Sequence, residues 1–282
     1  MGTVVSLSLA AEATTTDDAG LGPDPATLAL ARAIVALHEA DRVFSTWQPQ
    51  SPMNRLRRGE IELDEAPPEI DEVLELCRRA RDASGGWFDP WRMPGGVDPT
   101  GLVKGWAAER ALAALRGSGA PAGMVNAGGD IAVFGQPSPG EPWRIGIQDP
   151  RYEGRVLCVV ELAGEGAVAT SGTYQRGYHV VDPGSKAPAR ELLAATVAGS
   201  SLAFADALAT GLLASGGRAL ERVAANEEYS ALVVDAGGRM RATPGFPVAV
   251  ELALAGRTPK RHARGVPRAL PGRNTLLSRR IP

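Results

Sequence analysis

The run Val97-Asp98-Pro99-Thr100-Gly101-Leu102-Val103-Lys104-Gly105-Trp106-Ala107-Ala108-Glu109-Arg110-Ala111-Leu112 passes from a segment that resists regular structure into one that favours helix. Pro99 lacks a backbone donor, and Gly101 and Gly105 tolerate dihedrals that other residues avoid; the Ala-rich half that follows is helix-prone. The run therefore predicts a loop opening into a helix that fades at Gly117. A helix entrance presents unpaired N–H groups and a positive dipole end, and here Asp98 and Lys104 lie within two turns of it. That combination suits a phosphate with an attendant metal ion; the alternative is an ordinary connection carrying surface charges.

Upstream, Asp24-Pro25 supplies an N-cap and a first-turn proline for a helix reaching about Val43. His38 falls inside that helix, where a surface or core position is expected rather than a ligand's. A second helix starts at Pro67-Pro68 and ends near Gly85-Gly86, and Val4 to Leu9 alternates as a half-buried strand. Residues 11–23 read as a loop. Downstream, short strands are expected around 124–126, 131–134, 144–147, 156–162, 168–170 and 179–181. Ser200 or Ser201 then caps a helix from Leu202 to Ala214, followed by a short helix near 218–225 and a hairpin around Gly237-Gly238. From Arg257 to Pro282 there are eight Lys or Arg, no acid and four prolines, which predicts a disordered tail behind a domain spanning residues 1–256.

The chain has 282 residues, a formal net charge of -2 and 44% hydrophobic residues. These values fit a soluble globular protein and argue against nucleic acid or a membrane surface as the partner of its body. Cys77 and Cys158 lack a nearby second thiol, so neither a disulfide framework nor a zinc site is expected. The N-terminus has no basic n-region, no long apolar run and no lipobox cysteine, and nothing reaches the length of a membrane-spanning helix. The expectation is a cytoplasmic protein.

Four further clusters place small residues beside polar ones: Val125 to Asp130, Ala169 to Tyr174, His179 to Pro183, and Ala205 to Thr210. Asp206 and Thr210 stand four apart on one helical face among Ala and Leu. A carboxylate there requires a partner, and carboxylate with hydroxyl is hard-cation chemistry; a buried cap is the alternative. Ser171 is not in a G-x-S-x-G setting, and the commonest nucleotide and zinc motifs are missing.

Taken in order, with Phe44-Ser45-Thr46-Trp47, Asn54, Gly86-Trp87-Phe88-Asp89-Pro90 and Asp98 to Gly105, these clusters resemble the ApbE-type FAD:protein FMN transferase family. The resemblance implies a mixed α/β, β-rich fold, one domain of two lobes with FAD in the cleft between them. It implies an enzyme that moves FMN from FAD to a Thr or Ser hydroxyl of an acceptor flavoprotein and releases AMP, using Mg²⁺ or Mn²⁺. By the same resemblance Asp98 and Lys104 line the FAD site, Met1 with Ser45, Thr46 and Trp47 closes over the flavin or adenine, and Asp89 and Val181 complete the binding set. The Gly101 carbonyl, Asp206 and Thr210 hold the metal, His179 is the base, and Lys104 stabilises charge on the leaving group. Departures are a short connection between Asp89 and Asp98, a shortened hairpin before His179, and Thr173 where an acid or amide is common. Rival readings are an FAD hydrolase giving FMN and AMP, and a flavin carrier without turnover.

Overall fold

The computed structural model describes residues 3–10, 24–251 and 276–281. In chain order they form β1 (Val5–Ala10), α1 (Pro25–Phe44), α2 (Pro52–Arg57), α3 (Pro68–Ser84), α4 (Thr100–Arg116), β2 (Ala122–Ala127), β3 (Asp130–Gly135), β4 (Trp143–Gln148), β5 (Val156–Leu162), β6 (Gly166–Gly172) and α5 (Thr173–Arg176). There follow β7 (Leu192–Gly199), α6 (Leu202–Ala214), α7 (Leu220–Ala224), β8 (Tyr229–Asp235), β9 (Met240–Ala242), β10 (Val248–Glu251) and β11 (Leu276–Ile281).

The helix ends follow local chemistry. Asp24 accepts the Thr27 N–H at the start of α1, Ser201 accepts the Phe204 N–H at the start of α6, and Gly85 closes α3 at φ 69°. The strands build an eight-stranded sheet in the order β11-β1-β2-β3-β6-β7-β8-β9 and a three-stranded sheet β10-β5-β4, with antiparallel pairings throughout.

Both faces of the large sheet are buried. Ala132 and Phe134 of β3 join the core beneath the helices, whereas their alternating neighbours Ile131 and Val133 pack toward Ile145, Leu157 and Val160 of the small sheet. The result is three layers: helices, large sheet, small sheet. Within the helical layer, Leu102, Leu208 and Leu212 are fully enclosed, each contributing about 1.5–3 kcal/mol of burial. Gly105 lets α4 press against α6, since a Cβ there would stand 2.4 Å from the Leu202 carbonyl oxygen.

Three differences from the sequence reading have physical causes. β7 is hidden in the sequence because an Ala-rich strand buried on both faces carries no alternation. Around His179 the chain forms no strand, only a bridge from Val181 to Pro188, because the Pro183-Gly184 turn cuts it short. The expectation of a disordered tail is corrected for residues 276–281, which pair with β1 from Val5↔Ile281 to Ala10↔Leu276. Composition reports side-chain burial, whereas an open sheet edge recruits backbone donors and acceptors. Residues 257–275 and 282 of that tail, and the predicted loop at 11–23, lie outside the described residues.

Cys77 and Cys158 are both buried, in different cores, and burial pushes the Cys77 thiol up to about 12. Among the described residues no helix is long and apolar enough to cross a membrane.

Candidate active site

Where α4 and α6 meet the loops at the end of the interior strand β6, a cavity of about 520 Å³ opens. Its walls come from the end of α1 (Phe44 to Trp47), the Trp87–Pro90 turn, the start of α4 (Asp98, Gly101, Lys104), β6 (Thr170 to Gly172), the His179–Val181 loop, and Asp206 and Thr210 on α6. These segments are distant in sequence. The two crossing helices bring them together.

The loop after α1 exposes carbonyls that need donors, and Asn54 supplies them: its Nδ2 donates to the Ser45 and Gln48 carbonyls at 3.2 and 2.8 Å. Ser51 Oγ donates to the same Ser45 carbonyl at 2.6 Å, and Ser45 Oγ accepts the Trp47 and Gln48 N–H groups. So pinned, the loop presents Thr46 half-buried and Trp47 with 90% of its surface exposed.

Asp89 is buried, accepts the Trp91 N–H at 3.1 Å and pairs with Arg81 at 3.3 Å. Asp98 accepts the Thr100 N–H at 3.0 Å while its own N–H donates to the Pro90 carbonyl at 2.9 Å, which ties the two stretches across their short connection. Gly101 sits against α6: a Cβ added there would lie 3.6 Å from Thr210 Oγ1 and 3.1 Å from the Phe88 ring.

Lys104 reaches inward between two buried carboxylates, pairing with Asp130 Oδ2 and donating to Asp206 Oδ1 at 3.3 Å. Burial pushes the Asp206 carboxyl up, opposed by Lys104 and by the Gly105 backbone. Asp206 Oδ2 is buried without a hydrogen-bond partner among the described residues, and Thr210 Oγ1 meets only the Ser171 hydroxyl, at 3.1 Å, among the hydrogen bonds of its side chain. A buried carboxylate oxygen left open, with a hydroxyl one turn along the same helix, is the kind of oxygen donor set that fits a hard cation. No cluster of three His, Cys, Asp or Glu side chains suited to a metal occurs among the described residues.

His179 is exposed on the cavity wall, its Nδ1 3.1 Å from the Gly177 carbonyl. A carbonyl can only accept, so Nδ1 carries a proton, and in the neutral ring the lone pair is then on Nε2. The loop beyond is held by Asp182, whose carboxyl is kept below the usual range by the Gly184 N–H it accepts at 2.7 Å, and by Lys186, whose ammonium donates to the Arg92 carbonyl.

Of the residues singled out from the sequence, Ser45, Thr46, Trp47, Asp89, Asp98, Gly101, Lys104, His179, Val181, Asp206 and Thr210 all line this one cavity, and Met1 lies outside the described residues. Asp130 went unnamed as an individual, although the Gly128-Gly129 turn before it, at φ 65° and 102°, is the signal that aims it. Ser171 and Phe88 also gain their place only from the tertiary contact with Thr210 and Gly101.

Curated relatives named FAD:protein FMN transferase include those of Vibrio cholerae (33% identical over 129 residues, 43% of this chain), Rhodobacter capsulatus (32% over 157, 52%) and Escherichia coli K12 (30% over 148, 49%). The matched stretches span 39%, 30% and 42% of those relatives' own lengths. Among solved structures, the ApbE protein of Thermotoga maritima superposes with a TM-score of 0.70 at 24% identity, covering 81% of this chain and 92% of that one. The flavin transferase ApbE of Vibrio cholerae does so at 0.66 and 21%, covering 86% and 98%. Both likenesses establish the fold. The ApbE family profile matches residues 1–94 and 92–234, nearly the whole described body, and the chain belongs to the ApbE family.

Proposed function

We propose that the chain transfers FMN from FAD to a Thr or Ser hydroxyl of an acceptor protein and releases AMP, with Mg²⁺ held by Asp206, Thr210 and the Gly101 carbonyl. The observation that carries the reading is that one cavity gathers a cation (Lys104), an open carboxylate oxygen (Asp206), a hydroxyl (Thr210) and a histidine whose Nδ1 is bound to a carbonyl (His179). Its volume falls in the range of small-molecule sites. The names of the relatives point the same way.

In the reaction, the acceptor oxygen bonds to the FMN-side phosphorus as the bond from that phosphorus to the bridging oxygen breaks. AMP departs with the electron pair, and the hydroxyl proton passes to His179 Nε2. Mg²⁺ held by these residues would supply positive charge to the diphosphate. Lys104, fixed between its carboxylates, offers positive charge to the leaving phosphate without reorganising. His179 stands exposed, so a hydroxyl on another protein can reach it. Trp47 and the Asn54-pinned loop present a ring face to the flavin or the adenine.

Incubation with FAD and Mg²⁺, with and without an acceptor peptide, tests this. Flavin joined to the peptide together with AMP is expected; AMP and FMN without peptide labelling indicate a hydrolase, and FAD held without AMP release indicates a carrier.

A further inference from the structure

Asp130 lies outside the set of residues that line the cavity, yet it is 1% exposed and grips the lysine that does. Its Oδ1 accepts the Thr170 N–H at 2.9 Å, which locks the carboxylate to β6, and the Gly128-Gly129 turn fixes the start of β3 from which it projects. Lys104 is thereby shared: Oδ2 of Asp130 holds it on one side, and Oδ1 of Asp206 accepts from it at 3.3 Å on the other. Were Asp130 absent, the ammonium would have Asp206 as its one buried counter-charge, and a carboxylate fully engaged by a lysine is a poor cation ligand.

We infer that Asp130 is a positioning residue that shares Lys104 with Asp206, keeps the lysine from engaging Asp206 fully, and so sets the divalent-cation affinity of the site. The inference rests on the reading of Asp206 as a cation ligand. Asp130 acts through the lysine. Asp130→Asn keeps the oxygen that accepts from Thr170 and puts an amide NH₂, which cannot accept from the ammonium, in place of Oδ2.

The test uses Mn²⁺ alone, titrated into the full-length protein and followed by electron paramagnetic resonance of the free ion, without FAD or turnover. Asp130→Asn is expected to weaken Mn²⁺ binding by about tenfold or more, the usual cost of losing a partner behind a ligand shell. In a Lys104→Met protein, adding Asp130→Asn should change binding by no more than about twofold, as coupled residues require. An equal loss in both backgrounds would show that Asp130 acts by its own charge and would overturn the inference. Should Lys104→Met fail to fold, Lys104→Met/Asp130→Asn is compared with Asp130→Asn: return to wild-type affinity supports the displaced lysine, and affinity that stays low overturns it. Asp206→Asn separates the two levels. If it binds Mn²⁺ like wild type, the ligand reading itself fails; if it weakens binding while Asp130→Asn does not, only the positioning role falls.

Discussion

In the proposed reaction His179 and Asp206 divide the chemistry between proton and charge. His179→Ala removes a group that acts on the proton in flight, so FAD binding should be retained while transfer falls by about 10²-fold or more, read as kcat against the dissociation constant for FAD. Transfer within about tenfold of wild type would take the base assignment away from this residue. Asp206→Asn keeps the shape of a fully buried side chain and deletes its charge. It should raise the Mg²⁺ concentration needed for AMP release, with a smaller effect from Thr210→Val; an unchanged Mg²⁺ titration would make Asp206 a mere counter-charge for Lys104.

At the scale of elements, the crossing of α4 and α6 governs the site, because Gly101 and Lys104 ride on one helix and Asp206 and Thr210 on the other. Two contacts fix that crossing. Gly105→Ala would place a methyl 2.4 Å from the Leu202 carbonyl oxygen, against backbone that cannot yield, and should cost about 1–3 kcal/mol in denaturant unfolding. Glu109 of α4 accepts the Leu202 N–H and so caps α6 from its neighbour. Burial pushes its carboxyl up, opposed by bonds from Ser201, Leu202 and Ala203. The folded chain therefore holds the Glu109 proton to higher pH than the unfolded chain does. That contribution to stability is fully present below the unfolded value, close to the ordinary 4.5, and is lost as pH rises through the raised folded value. Glu109→Gln retains an accepting oxygen and removes the titration, so its melting temperature relative to wild type should climb as pH is raised from 4.5 toward neutrality. Glu109→Ala loses the cap and should cost about 0.5–2 kcal/mol.

For the whole molecule, β11 changes what truncation should do. Removing residues 252–282 would strip β1 of the partner it pairs with from Val5 to Ala10 while leaving it bonded to β2. A cooperative but lower thermal transition is expected, with AMP release retained at low temperature. A melting curve identical to the full chain's would show that the edge pairing contributes nothing to stability.

What the sequence determined by itself is local. Asp24-Pro25, Ser201 and Gly85 mark helix ends because capping is chemistry between residues a few positions apart, and the Ala-rich run after Gly105 declares α4 in the same way. Asp206 with Thr210 was legible from the residues, since a carboxylate on an Ala-rich helical face is costly unless something compensates it, and so were Asp98 and Lys104 at a helix entrance; the other cavity-lining residues were named through the family resemblance. Only the tertiary structure decided β7, whose side chains are hidden on both faces and so show no period, and β11, whose pairing depends on an edge left open by a strand at the other end of the chain. It alone decided Asp130 as well: nothing near Gly128-Gly129 in sequence says that Lys104, on a separate helix, will lie against that carboxylate, because the pairing arises from packing between segments rather than from either one.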